Sequence, residues 1–157
     1  MPKEINLPSL LQEKLINLEF KGKDKKEIIE ELVELIAKSG KLKNKKAFLK
    51  AILEREKLGS TGLGNGVAIP HAKSKVVKGF VLVFGRMDNG IDFGALDGER
   101  TYLFFSLASP EEEVGGHLKV LSEIARLIKD KFIVERLKKA QTKKDIIRII
   151  SLHTNGK

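Results

Sequence analysis

The apolar positions of this chain change period twice. Over residues 25–38, KKEIIEELVELIAK sets Ile28, Ile29, Leu32, Val33, Leu35 and Ile36 at helical spacing, with Asp24 ahead as a cap and Gly40 behind. Residues 45–57 predict a second long helix after Asn44, with Phe48, Ala51 and Ile52 on one side. A short opening helix over 9–15, capped by Ser9, is predicted before both. The middle of the chain then turns β-rich. Val67–Ile69 and FVLVFG (80–85) read as short strands, and IDFGALDGERTYLFFSLAS (91–109) reads as a strand pair around a turn at Asp97-Gly98. FVLVF and TYLFFSL are apolar on successive positions, which predicts strands covered on both faces. After Pro110 the helical period returns. Leu118, Leu121, Ile124, Ala125 and Ile128 would line one side of a helix from about 115 to 129, and two more helices follow near 131–139 and 142–152. Helices at both ends with strands between predict one α/β domain, a sheet flanked by helices, over residues 1–157.

Length and composition fit that reading. The 157 residues can bury a core without disulfides or metal, and 41% hydrophobic residues argue against disorder. With no cysteine, a disulfide framework, a thiol nucleophile and a Cys-ligated zinc site are excluded, which suits a reducing compartment. MPKEINLPSLLQEKL lacks the basic and apolar regions of a signal peptide, and no stretch reaches membrane-spanning length. A cytoplasmic location is expected. The net charge of +9 gathers in KGKDKK (21–26), KLKNKK (41–46) and KKAQTKK (138–144). These runs are scattered, nearly free of aromatics and match no nucleic-acid motif. They read first as solvated helix ends and loops, second as a nucleic-acid footprint, third as a surface for acidic partner proteins.

Three histidines and one arginine carry the candidate chemistry. His71 closes GSTGLGNGVAIPHAK, a run of glycines ended by Pro70. Glycines at 62, 64 and 66 let other groups approach the main chain, and Pro70 biases Ile69 towards an extended conformation. The histidine then leaves a stiff strand end beside a loop whose amides could hold an anion. From the residues alone, an incidental histidine in a Gly-rich turn is an equal reading. No Gly-Lys-Ser/Thr follows, so the run is not a P-loop. His117 stands just after Gly115-Gly116 near the start of an apolar-faced helix, where helix amides favour an anion and disfavour an imidazolium, although spacing alone favours a helix-capping or exposed histidine. Arg55 ends the second long helix just before the loop and could grip a phosphate with two N–H groups, or pair with Glu54 or Glu56. His153 reads as part of the polar tail LHTNGK.

The run AILEREKLGSTGLGNGVAIPHAK strongly resembles the active-site segment of the type-2 enzyme IIA domains of the bacterial phosphoenolpyruvate-dependent phosphotransferase system, in its fructose/mannitol and nitrogen-regulatory branch. The resemblance continues through IDFGALDGERTYLFFSLASP, GGHLKVLSEIARLIKD and LKKAQTKKDIIRII, over nearly the whole chain. It implies a mixed β-sheet with helices on both sides. It implies that His71 is the phosphorylated histidine, with Arg55 and His117 stabilising the phosphoryl group. On the residues themselves, loop amides around Gly64–Gly66 could share that stabilisation, and Thr61 and Asn65 could add hydrogen bonds or merely support the loop, as Ser60 would support the turn. No metal, nucleotide or other cofactor is implied. The donor would be a histidine-containing phosphocarrier protein, and the acceptor a IIB domain or a regulatory target, with contact to a membrane only through a IIB/IIC permease. The loop and the ending look closer to the nitrogen-regulatory members than to the transport members. Two other classes stay open on the residues alone: a hydrolase or metal enzyme using His71 and His117, which shows no HExxH or GxSxG pattern, and a basic nucleic-acid-binding module.

Overall fold

A computed structural model describes residues 6–154. Side-chain caps set the starts of the helices. In α2 (Lys25–Ala37) the Asp24 carboxylate accepts from the Glu27 amide, and in α3 (Lys45–Lys57) the Asn44 side chain accepts from the Ala47 amide. Both caps are those the sequence predicts. The opening helix is different. α1 spans only Leu7–Leu10, and its cap is Asn6, which accepts from the Ser9 amide; Pro8 sits in its first turn. Leu11 is extended, and a separate 3₁₀ turn follows at Glu13–Leu15, so the single helix expected over 9–15 with Ser9 as cap is two shorter pieces.

Six strands make one mixed sheet. They are β1 (Ile16–Asn17), β2 (Gly62–Gly64), β3 (Val67–Ala68), β4 (His71–Ser74), β5 (Val81–Ile91) and β6 (Thr101–Pro110). Their order is β1-β5-β6-β3-β2, with β4 also paired to β6. β5 and β6 run antiparallel, while β3 and β4 both run parallel to β6. β3 and β4 are thus successive stretches of one line along β6, broken at Ile69-Pro70. The expected strand pair around Asp97-Gly98 is the end of the long β5 joined to β6, with the Gly98 amide bonded to the Ala95 carbonyl in the turn. β4 has no counterpart in the hydrophobic pattern, because His71-Ala72-Lys73-Ser74 lacks β-branched residues.

The sheet is covered on both faces, as the continuous apolar runs require. Leu82, Phe84, Leu103, Phe105 and Leu107 turn to α1, α4 (Val114–Ile128), α5 (Lys131–Lys139) and α6 (Lys143–Thr154). Val81, Val83, Phe104 and Ala108 turn to α2 and α3. At β4, Ala72 joins the α2/α3 side, which leaves His71 and Lys73 on the α4 side.

Two expectations about the C-terminal half change. The buried stripe of α4 is His117, Val120, Ile124, Leu127 and Ile128, whereas Leu118 is 57% exposed. A count of apolar residues alone rotates this helix, because it omits the histidine that belongs to the inward face. His153 lies in the last turn of α6 and not in a tail; it is exposed, and its Nε2 accepts from Arg136 Nη1 at 3.2 Å. Residues 155–157 of the expected tail lie outside the described residues.

Candidate active site

The fold brings His71, His117 and Arg55 to one edge of the sheet. β4 carries His71 opposite Leu107 of β6, α4 lies over that face, and α3 ends beside the strand. The His71 and His117 rings stand 5.3 Å apart between centroids, tilted by 56°.

Backbone geometry decides the protonation of His71. Its Nδ1 lies 2.7 Å from the Ile69 carbonyl oxygen. A carbonyl only accepts, so Nδ1 carries the hydrogen and Nε2 keeps its lone pair. The anchor is itself held. The Ile69 amide donates to the Thr61 carbonyl, and the Pro70 carbonyl accepts from the Leu107 amide and from the Ser106 hydroxyl. Burial lowers the His71 pKa below 6.5, the Ile69 hydrogen bond opposes this, and Arg55 reinforces it; Glu56 raises and Lys73 lowers it in turn.

His117 is 3% exposed, and its Nδ1 lies 2.7 Å from the Ser109 hydroxyl. Burial first, then His71 and Lys73, lower its pKa to about 4. Both rings are therefore neutral at pH 7. Arg55 donates through Nη1 to the Gly59 carbonyl at 3.1 Å, which seats its guanidinium on the loop and commits one of its five N–H groups. It does not take the alternative partners Glu54 or Glu56 in the salt bridges of the described residues.

A buried carboxylate holds the loop. Glu56 is 7% exposed. It accepts from the Thr61 amide at 2.8 Å and from the Thr61 hydroxyl at 2.7 Å, and pairs with Lys25 Nζ at 2.7 Å. Thr61 is thus a support of the loop, but through its own anchorage. Ser60 supports the turn as well, donating to the Phe93 carbonyl and accepting from the Gly62 amide.

The glycine-loop residues expected near the phosphoryl group lie elsewhere. Asn65 and Gly66, at φ 57° and 80°, form the tight turn between β2 and β3. The Asn65 amide donates to Asp97, and its side chain donates to the Ile128 carbonyl, at the far end of α4 from His117. Gly66 precedes the Val67–Leu103 register pair, while His71 pairs with Leu107. At ~3.3 Å per residue the turn is roughly 16 Å from the imidazole. Gly64, Asn65 and Gly66 therefore shape a hairpin tip and do not line the histidine site. Sequence order misleads here, because the strand that follows the glycines carries the chain away from them.

Lys73 and Ser109, and the anchoring role of Glu56, escape the sequence reading. Lys73 follows His71 on the same face of β4 and acts on both imidazoles. Ser109 and Glu56 are buried polar groups with charged or titratable partners. Period-2 alternation would have exposed Lys73 had β4 been recognisable. Nothing in the local sequence marks Ser109. Among the described residues, no group of three or more His, Cys, Asp and Glu side chains could hold a metal, and no helix is long and apolar enough to cross a membrane.

Comparison with known proteins points the same way. A family model described as "Phosphoenolpyruvate-dependent sugar phosphotransferase system, EIIA 2" matches residues 9–153. The fructose-specific EIIABC component of Bacillus subtilis is 38% identical over 149 residues, 95% of this chain, but the match spans only 24% of that longer protein. A nitrogen regulatory protein of Bradyrhizobium diazoefficiens is 40% identical over 77% of this chain and 80% of its own length. The crystal structure of nitrogen regulatory protein IIA-Ntr from Neisseria meningitidis superposes with a TM-score of 0.86, at 35% identity, covering 91% of this chain and 97% of that one. Sheet order, two covered faces and a match over almost the whole length leave one assignment: the chain belongs to the type-2 enzyme IIA family of the phosphoenolpyruvate-dependent sugar phosphotransferase system.

Proposed function

We propose that this protein is a cytoplasmic phosphoryl carrier in which His71 accepts a phosphoryl group on Nε2 from a histidine-containing phosphocarrier protein, residues 1–157 acting as one IIA domain. The observation that carries this reading is the Nδ1–H bond to the Ile69 carbonyl. It leaves the lone pair on Nε2, on a ring whose lowered pKa keeps it unprotonated.

The transfer needs no external base. The Nε2 lone pair forms the new N–P bond while the donor's P–N bond breaks and its electron pair returns to the donor imidazole. Each ring keeps its own hydrogen. The phosphorylated His71 ring then carries positive charge, and the Ile69 carbonyl, accepting from Nδ1–H, stabilises it. Phosphoryl transfer is mostly positioning and stabilisation of charge on the equatorial oxygens. Arg55 supplies a guanidinium for that charge and His117 a neutral donor. The family's chemistry calls for no metal or cofactor at these residues.

The onward partner separates two readings. The nitrogen regulatory relatives match this chain over most of their own length, which favours a IIA that signals through its phosphorylation state to regulatory target proteins. The Bacillus relative favours the second reading, donation to a IIB domain for uptake of a fructose- or mannitol-type sugar. Incubation with phosphoenolpyruvate, enzyme I and the phosphocarrier should label the protein on an acid-labile site. His71→Ala should abolish the label, and Arg55→Ala and His117→Ala should slow transfer in folded protein. Full labelling of His71→Ala would overturn the assignment. Transfer onward to a IIB domain at a comparable rate would favour the transport reading.

A further inference from the structure

The buried pair Ser109–His117 has a polarity that the geometry determines. Ser109 sits on β6, fully buried, in register with Lys73. Among the described residues its hydroxyl has one hydrogen-bond partner, His117 Nδ1, at 2.7 Å. A serine hydroxyl brings one hydrogen and two lone pairs. If Nδ1 of His117 held the ring hydrogen, it would donate to Oγ, and the hydroxyl hydrogen of a fully buried serine would be left without a protein acceptor among the described residues. An unsatisfied buried donor is costly, whereas an oxygen short of one donor is tolerated more readily. The hydroxyl therefore donates to Nδ1, and the ring hydrogen of neutral His117 resides on Nε2.

We propose that Ser109 is a positioning residue: its hydroxyl locks His117 in the Nε2–H tautomer and so presents a hydrogen-bond donor to the phosphoryl group on His71. This rests on the carrier reading above. The two imidazoles are then fixed in opposite senses by their Nδ1 partners. The Ile69 carbonyl forces Nδ1–H on His71 and frees Nε2 as the nucleophile. The Ser109 hydroxyl forces the reverse on His117 and makes its Nε2 a donor. The other tautomer of His117 would turn a lone pair towards the anionic oxygens and repel them.

The test has two arms. Long-range ¹H–¹⁵N correlation of the labelled, unphosphorylated protein at pH 7 reads the tautomer directly. Wild type is expected to show His117 with protonated Nε2 and unprotonated Nδ1, and Ser109→Ala to show a mixture of tautomers. Phosphoramidate, a small donor whose P–N bond breaks with ammonia leaving, then reports transfer to His71 without a protein partner. Ser109→Ala should accept phosphoryl about tenfold more slowly, the scale of one lost hydrogen bond to a charged group. A wild-type His117 with its hydrogen on Nδ1 would overturn the proposal even if Ser109→Ala failed to fold. So would a Ser109→Ala protein with unchanged tautomer and rate. Failure of wild type to take phosphoryl on His71 from any donor would instead sink the carrier reading, while the tautomer spectrum would still decide the role of Ser109.

Discussion

Removing the Glu56 carboxylate should damage the site from below. Glu56→Ala deletes the acceptor of two hydrogen bonds from Thr61, at 2.8 Å and 2.7 Å, in a residue 7% exposed. Hydrogen bonds to a charged group contribute about 1.5–3 kcal/mol each. The Lys25 pair adds little, because that lysine side chain is a third exposed. Water entering the vacated space offsets part of the loss, so we expect destabilisation of about 3 kcal/mol, or roughly 6–12 °C in Tm for a chain of this length. Glu56→Gln retains the shape and one good acceptor, and should cost about 1 kcal/mol. The consequence for function runs along a chain of bonds: Glu56 fixes Thr61, the Thr61 carbonyl fixes the Ile69 amide, and the Ile69 carbonyl aims His71. Phosphoryl transfer should therefore slow in Glu56→Ala even under conditions where all of it is folded. Urea denaturation followed by circular dichroism gives the stability, and labelling through the phosphocarrier gives the rate. A loss below about 0.5 kcal/mol would refute the energetic argument. Normal transfer in a clearly destabilised variant would refute the relay to His71.

Stability should fall as pH drops from about 6.5 to about 4, because His117 binds its proton in the unfolded chain at ~6.5 but in the folded protein only near 4. The unfolded state holds more protons across that window, and the loss approaches about 3 kcal/mol at its acid end. His117→Gln should flatten the curve measured by urea midpoints, and an unchanged slope would contradict the assignment. Asn65→Ala should cost about 1–2 kcal/mol, through strain at φ 57° and loss of the bond to Ile128, yet leave the transfer rate within about twofold of wild type. A tenfold slower rate at unchanged stability would return Asn65 to the site. Gly85→Ala drives a Cβ into the Phe20 ring and should destabilise by about 2–3 kcal/mol, with Phe20→Leu recovering part of it in denaturation experiments. Additive effects of the two changes would refute that clash.

The elements most legible in the sequence were those whose signal is local. Asp24 and Asn44 cap α2 and α3 as the pattern of polar and apolar residues says they must, and the unbroken apolar runs of β5 and β6 announce a sheet covered on both faces. His71, Arg55 and His117 were readable as candidates, and the family resemblance, more than spacing, grouped them. What failed depends on contacts distant in sequence. Asn65 and Gly66 stand close to His71 in sequence, but the register with β6 carries them away from it. His117 hid inside the apolar stripe of α4, so the helix was rotated towards Leu118. Ser109 is defined only by the imidazole that α4 brings to it.

The nitrogen on which His71 carries its phosphoryl group tests the central claim most directly. The protein would be phosphorylated through phosphoenolpyruvate, enzyme I and the phosphocarrier, and the linkage read by ¹⁵N and ³¹P NMR of the intact chain. The Ile69 carbonyl holds Nδ1–H, so the phosphoryl group should appear on Nε2 of His71, one per chain, with Nδ1 still protonated. A phosphoryl group on Nδ1, on His117 or on any other residue would contradict the account.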